Sequence, residues 1–196
     1  MRLKAYVGLL TEWNERYNLV ARSTMADVWH RHVWDSAQLT AFIPEGADSL
    51  VDLGSGAGFP GLVLAILLRE RPGFRTVLFE STGKKAAFLE AATKTAGMTV
   101  EVRNGRIEDA RPEPFDVVTA RACAPLDKLL AYAQPFQGKA TTNLFLKGQN
   151  VEAELTEARK LWTMKVERHP SLTDSSGTIL EIRELAHVRS KPRGNP

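Results

Sequence analysis

Residues 51–61 read Val51-Asp52-Leu53-Gly54-Ser55-Gly56-Ala57-Gly58-Phe59-Pro60-Gly61, an apolar run that breaks into alternate glycines, and a strictly aliphatic stretch, Leu62 to Leu68, follows. Few folds accommodate this order. A strand that ends in such a turn and passes directly into a helix is the first unit of a doubly wound α/β sheet, where ligands bind at the carboxyl ends of the strands and glycine lets them approach the backbone. The flanking pattern agrees with this. Short β-rich runs at 50–53, 76–79, 99–102, 117–120 and 143–146 alternate with helical stretches at 60–69, 84–96, 126–133 and 151–161, which predicts a mostly parallel sheet. After Trp162 the pattern becomes strand (164–169), turn (Asp174 to Gly177) and strand (178–183), a hairpin that gives the sheet an antiparallel edge strand.

Ahead of the first strand, Leu3, Tyr6, Val7, Leu10, Trp13 and Tyr17 recur at the spacing of one helix face, predicting a helix over 2–18. Thr24 with Asp27 marks the start of a second helix that carries Val28, Val33, Ala37 and Phe42. The expected organisation is a helical extension (1–47) packed on the core, a core domain (48–188) and a basic tail (189–196) holding Arg189, Lys191 and Arg193. Trp13, Tyr17, Trp29 and Trp34 are expected to pack into the core as members of helical stripes, base stacking being the other use of such rings.

Composition closes off several classes of function. The 196 residues are 43% hydrophobic and 25% charged with a net charge of +3, proportions of a globular chain. No apolar run approaches the roughly 20 residues that span a bilayer, and the first apolar stretch meets Glu12 without a cleavage pattern. One cysteine, Cys123, permits no internal disulfide, and His30 and His32, two apart on a helix, diverge. No metal and no membrane partner are expected, and a cytoplasmic location follows.

Two ligands compete for the glycine-rich turn. Gly56, Gly58 and Gly61 satisfy the dinucleotide fingerprint G-x-G-x-x-G, which keeps an NAD(P)-linked oxidoreductase in view; Asp52, Gly54, Gly56 and Gly58 satisfy D-x-G-x-G-x-G, which resembles motif I of S-adenosylmethionine-dependent methyltransferases. Pro60 removes an amide that a pyrophosphate needs, and Asp52 repels a dianion while suiting the ammonium and sulfonium of the methyl donor. S-adenosyl-L-methionine and a Rossmann-like class I methyltransferase fold are therefore favoured. Glu80, ending the second strand, is placed to accept from both ribose hydroxyls, with pairing to Lys84 as its alternative use. Ile107 and Glu108 follow the third strand, near the expected adenine.

The methyl acceptor is constrained by what is missing. Arg121-Ala122-Cys123-Ala124-Pro125 stands where amine methyltransferases carry an Asn/Asp-Pro-Pro-aromatic turn. Cys123 is positioned as a nucleophile for cytosine C5 would be, but it reads better as a small packing residue.

Trp13-Asn14 with Tyr17-Asn18-Leu19, Arg31-His32 with Asp35-Ser36, the 52–61 turn with Leu64-Ala65, Glu80-Ser81 with Lys84-Lys85 and Phe88-Leu89, Arg121-Ala122, and Leu146-Lys147-Gly148 together resemble the glucose-inhibited division protein B family. That family comprises bacterial methyltransferases making 7-methylguanosine in 16S ribosomal RNA. The resemblance runs from Trp13 to about Gly148, with a start shorter than is usual and a looser C-terminal match. It implies cofactor contacts at Gly54, Phe59, Ile107, Glu108 and Arg121, completed by Asp52, Gly56, Gly58 and Glu80. It also implies 16S ribosomal RNA or the small ribosomal subunit as partner. Guanine N7 carries a lone pair and no proton, so direct transfer needs no general base. Substrate positioning is expected from Arg121 and Lys147, and RNA binding from Arg31, His32, Lys84, Lys85 and Lys147. The family's older name leaves a non-catalytic role in cell division as a further alternative.

Overall fold

The computed structural model describes residues 1–188; the basic segment 189–196 lies outside the described residues. Seven strands form one sheet: β1 (Ser49–Leu53), β2 (Arg75–Glu80), β3 (Glu101–Asn104), β4 (Phe115–Arg121), β5 (Gln137–Lys147), β6 (Trp162–Pro170) and β7 (Thr178–His187). Their order is β3-β2-β1-β4-β5-β7-β6. The first five are parallel, and β7 runs antiparallel to both β5 and β6, so the antiparallel edge expected from the sequence is the β6–β7 hairpin. The sheet reverses order at β1 and β4, and the crevice beyond their carboxyl ends is where such folds bind ligands.

Both faces are covered. Side chains alternate across each strand. Val51, Leu53, Val77, Phe79, Val118 and Phe145 face a core shared with α6 (Leu126–Ala133) and α7 (Val151–Ala158). Leu50, Leu78, Val117 and Leu144 face α4 (Gly61–Leu67), α5 (Gly83–Thr95) and the N-terminal segments. Every residue of α4 except Leu67 is buried, which is why that stretch reads as continuously aliphatic rather than amphipathic. Among the described residues no helix is long and apolar enough to cross a membrane.

The first helix, α1 (Arg2–Tyr17), docks on this second face through Tyr6, Val7 and Leu10. Each buried apolar side chain of this size contributes roughly 1.5–3 kcal/mol. Asn18 ends the helix in the left-handed conformation (φ 46°), its N–H returning to the Asn14 carbonyl, while the Asn14 side chain accepts from the Val20 N–H at 2.9 Å.

The second expected helix is not continuous. The chain forms α2 (Arg22–Met25), a π-helical turn over Trp29–Trp34, α3 (Asp35–Ala37) and a 3-10 turn over Gln38–Phe42. Wider π turns change the angular order of the side chains. Val33 and Ser36 are buried while Arg31, His32 and Asp35 meet at one cavity; the Ser36 hydroxyl donates to the His32 carbonyl at 2.6 Å. The expected core role of the aromatics fails for three of the four. Tyr17, Trp29 and Trp34 are exposed (43%, 45% and 53%), because the broken helix leaves both tryptophans on the outer side, whereas Trp13 packs edge-on against Phe88.

Gly61 is the tightest contact between α4 and the sheet. A Cβ there would lie 2.5 Å from Asp52 Cβ, 2.7 Å from Asp52 Oδ2 and against Leu78. Gly61→Ala is expected to lower unfolding free energy by about 1–3 kcal/mol, the usual cost of overpacking, measured by urea titration; an unchanged midpoint would show that α4 can move off β1 freely.

Candidate active site

The turn after β1 is built from glycine geometry. Gly54, Gly56 and Gly58 have φ of 69°, 57° and 99°, values that L side chains rarely adopt. A Cβ on Gly54 would meet Cys123 Sγ at 2.8 Å, and one on Gly58 would meet the Tyr6 hydroxyl at 3.0 Å. The turn is braced from two sides. Tyr6 donates to the Ala57 carbonyl at 2.5 Å. Glu80 accepts from Gly56 N–H at 2.9 Å and Thr82 N–H at 2.7 Å, so its carboxylate joins the ends of β1 and β2 to the start of α5 and is not engaged with Lys84.

Most of the turn amides that a pyrophosphate would require are already committed. Gly58 and Phe59 N–H donate to the Ser55 carbonyl, Ser55 N–H to the Phe79 carbonyl and Gly56 N–H to Glu80, and Pro60 has none. Asp52 does not face the ligand space as the sequence reading supposes. It points down at Gly61, with Oδ1 accepting from the Thr119 hydroxyl at 2.7 Å and Oδ2 buried without a partner. Burial pushes its carboxyl up to about 6.

Two cavities meet over this turn. One, about 570 Å³, runs past Glu80, Thr82, Ile107, Glu108, Cys123 and Tyr132; the other, about 410 Å³, is walled by Val20, Thr24, Arg31, His32, Phe59 and Arg121. Gly54, Lys85 and Ala122 line both. Gly54, Gly56, Phe59, Glu80, Ile107, Glu108, Arg121, Arg31, His32 and Lys85 therefore converge on one cleft. Glu108 is oriented by the Tyr132 hydroxyl at 2.9 Å. Lys84 lines neither cavity, its Nζ lying 5.8 Å from the Tyr17 ring.

The electrostatics of the wall differ from those expected. His32 stacks on Phe59 (5.0 Å between centroids) and sits 2.8 Å from the Thr24 hydroxyl. Burial, followed by the neighbouring Arg121 charge, lowers its pKa to about 4, so it is a neutral packing group at pH 7 and brings no charge to RNA. Arg121 lies over Phe59 at 5.0 Å, pairs with Asp35 at 3.2 Å and donates to the Arg31 carbonyl. Lys147 is also not the free cation expected of it: only 10% exposed, it pairs with Glu154 at 2.6 Å and donates to the Ala124 carbonyl. Cys123, partly buried, has its thiol pushed up to about 11 by burial and by nearby carboxylates. It is a thiol, not a thiolate, at neutral pH.

Several lining residues escaped the sequence reading. Thr173, not singled out, and Asp174, read only as the start of a turn, reach the cleft from the β6–β7 hairpin, where the Thr173 hydroxyl donates to Asp35 at 2.6 Å. Thr24, expected to start a helix, instead lies inside α2 and faces the cavity; Val20, Thr82 and Tyr132 carry no motif, and nothing local in the sequence marks them.

A family model described as rRNA small subunit methyltransferase G matches residues 1–183. The chain belongs to this family. It is 52% identical over 194 residues to the ribosomal RNA small subunit methyltransferase G of Rhodospirillum centenum, covering 98% of this chain and 85% of that one. It is 48% identical over 187 residues to the protein of the same name from Caulobacter vibrioides, covering 95% and 86%. Among solved structures, a TehB-like S-adenosylmethionine-dependent methyltransferase from Corynebacterium glutamicum superimposes with a TM-score of 0.59 at 13% identity, over 88% of this chain and 95% of that one. A second such methyltransferase, from Aquifex aeolicus, gives 0.61 at 14%, over 79% and 92%. At these identities the likeness shows the fold: a class I methyltransferase sheet.

Two outcomes follow from the site. Gly56→Val forces a branched residue to φ 57° at the mouth of the cleft and is expected to abolish S-adenosylhomocysteine binding by calorimetry, with near-native affinity in a folded protein refuting the placement. Asp52 titrates with the opposite sign to a salt-bridged carboxylate. Its raised pKa means the folded state holds the proton more tightly, so this stabilising contribution is full below about 4 and is lost as pH rises through about 6. Two pKa units correspond to about 3 kcal/mol. The unfolding free energy of the wild type relative to Asp52→Asn should fall by that order between pH 4 and 7.

Proposed function

We propose that this chain methylates N7 of a guanine in small-subunit (16S) ribosomal RNA, with S-adenosyl-L-methionine as donor and by direct transfer, in the cytoplasm where that RNA resides. The observation that carries the reading is the pair of adjoining cavities that share Gly54, one lined by Glu80 and the other by Arg121 and Asp35, in a chain of the rRNA small subunit methyltransferase G family. S-adenosylmethionine supplies a methyl group on a sulfonium centre.

The residues fit that donor. Glu80 spends one lone pair of each oxygen on backbone amides and keeps others for ribose hydroxyls. Ile107 and Glu108 offer an apolar wall and an acceptor beside the adenine position. Gly54 and Gly56 let the donor lie against the backbone, whereas Gly58, expected as a cofactor contact, is buried against Tyr6 and Leu62 and only shapes the turn; the Phe59–His32 stack closes the floor. The positive charge of Arg121 is offset by Asp35, so the wall does not repel a sulfonium. The amides of Ser55, Gly56, Gly58 and Phe59 are already bonded, which disfavours a dinucleotide pyrophosphate.

Guanine N7 attacks with a lone pair and releases no proton, so no base is required; the site offers only a weak one, since the His32 pKa is lowered to about 4, its Nε2 meeting Thr24 and its Nδ1 having no partner among the described residues, and the Cys123 thiol stays protonated. Rate enhancement then comes from alignment and from exclusion of water. Arg31 and Lys85, at the cleft, are the cations placed for RNA phosphates.

Mass mapping of modified nucleosides in ribosomal RNA from cells with and without the protein tests the reading; loss of one 7-methylguanosine is expected, and an unchanged map would sink it. Calorimetry should give S-adenosylhomocysteine binding without NAD binding. Cys123→Ser should retain at least about a tenth of the transfer rate, whereas complete inactivation of the folded variant would point to a covalent mechanism.

A further inference from the structure

Beyond Arg121 the cleft opens into a third cavity of about 270 Å³ between the end of β4, the end of β5 and the β6–β7 turn. It shares Asp35, Arg121, Ala122 and Asp174 with the cavity that holds Gly54 and Phe59. Its charged groups are mostly committed. Asp35 pairs with Arg121 at 3.2 Å, and Glu154 pairs with Lys147 at 2.6 Å while also accepting from Leu126 N–H at 2.7 Å.

Asp174 differs. Its Oδ1 accepts from the Ser176 N–H at 2.9 Å and the Ser176 hydroxyl at 2.7 Å, an Asx turn that fixes the side chain at the wall. No hydrogen-bond donor is assigned to Oδ2 among the described residues. The Ser176 hydrogen bonds hold the Asp174 carboxyl below its ordinary value, so it is an anion at neutral pH.

We propose that this third cavity seats the acceptor purine and that Asp174 reads the N1–H and N2–H edge of guanine. The proposal rests on the reading of guanine N7 as methyl acceptor. In a purine, N7 and the N1/N2 edge lie on opposite sides of the ring system, so a base with N7 turned toward the donor across Arg121 turns its N1/N2 edge away from the donor. A carboxylate accepts and cannot donate. Guanine alone among the four bases joins an N7 acceptor to adjacent N1–H and N2–H donors; adenine offers a lone pair at N1, which a carboxylate repels. The hairpin turn, outside the motifs of the cofactor cleft, thereby becomes the specificity element of the site.

The test compares small-subunit particles reconstituted with 16S ribosomal RNA carrying guanosine or inosine at the methylated position, inosine lacking only the N2 amine. Wild-type protein is expected to transfer methyl to guanosine about 10-fold faster, within the range a good base contact confers. Asp174→Asn, which preserves the Asx turn, is expected to narrow that ratio to less than about threefold, with S-adenosylhomocysteine affinity unchanged within about threefold. A wild-type preference retained in Asp174→Asn, or no preference in the wild type, overturns the assignment while leaving N7 methylation standing. Absence of 7-methylguanosine with the guanosine particle and of 7-methylinosine with the inosine particle overturns the functional reading and this inference with it.

Discussion

At the carboxyl end of β1 the chain must turn into α4 while leaving its backbone open to a ligand, and three left-handed glycines make that possible. Such a turn has little stability of its own, since each glycine loses more conformational freedom on folding than any other residue. The neighbours hold it. Glu80 clamps Gly56 from β2, Tyr6 clamps Ala57 from α1, and Gly61 lets α4 press against Asp52. The close approach buries the Asp52 carboxyl, and that burial raises its pKa.

The second organising contact joins three distant parts of the chain. Asp35 from the N-terminal segment receives Arg121 from the end of β4 and Thr173 from the β6–β7 turn, and Gln38 adds bonds to Ser171 and the Leu172 N–H. The cleft wall is thus an assembly of cap, sheet and hairpin. Arg121 does several things there: it compensates Asp35, covers Phe59 and helps keep His32 neutral. The charges nearest the donor cancel locally, which suits a reaction in which positive charge passes from sulfur to the purine without a proton moving.

Much of the fold is legible in the sequence because β1, β2 and β4, in the middle of the sheet, are buried on both faces and rich in apolar residues, while α6 has one clean apolar face and ends where periodicity says it does. The π turn at Trp29–Trp34 is not legible, since its stabilisation is tertiary: Val33 and Ser36 are buried and His32 is held by Phe59 and Thr24. Strand β5 extends well ahead of its apolar segment, to Gln137, because backbone pairing with β4 continues through polar residues around an irregularity in register.

For the site, the sequence alone determined the glycine turn, the acid at the end of β2 and the absence of an activated nucleophile, because these depend on residue type and local spacing. Tertiary structure decided which charges are free. Asp52, His32 and Lys147 look like ligand-facing polar groups along the chain, yet burial against Gly61, stacking on Phe59 and pairing with Glu154 remove each from that role. Asp174, unremarkable in sequence, reaches the cleft only because the hairpin folds back beside β5. Charge availability is a property of neighbours, and these neighbours belong to different elements of the fold, brought together only when helix packs on strand.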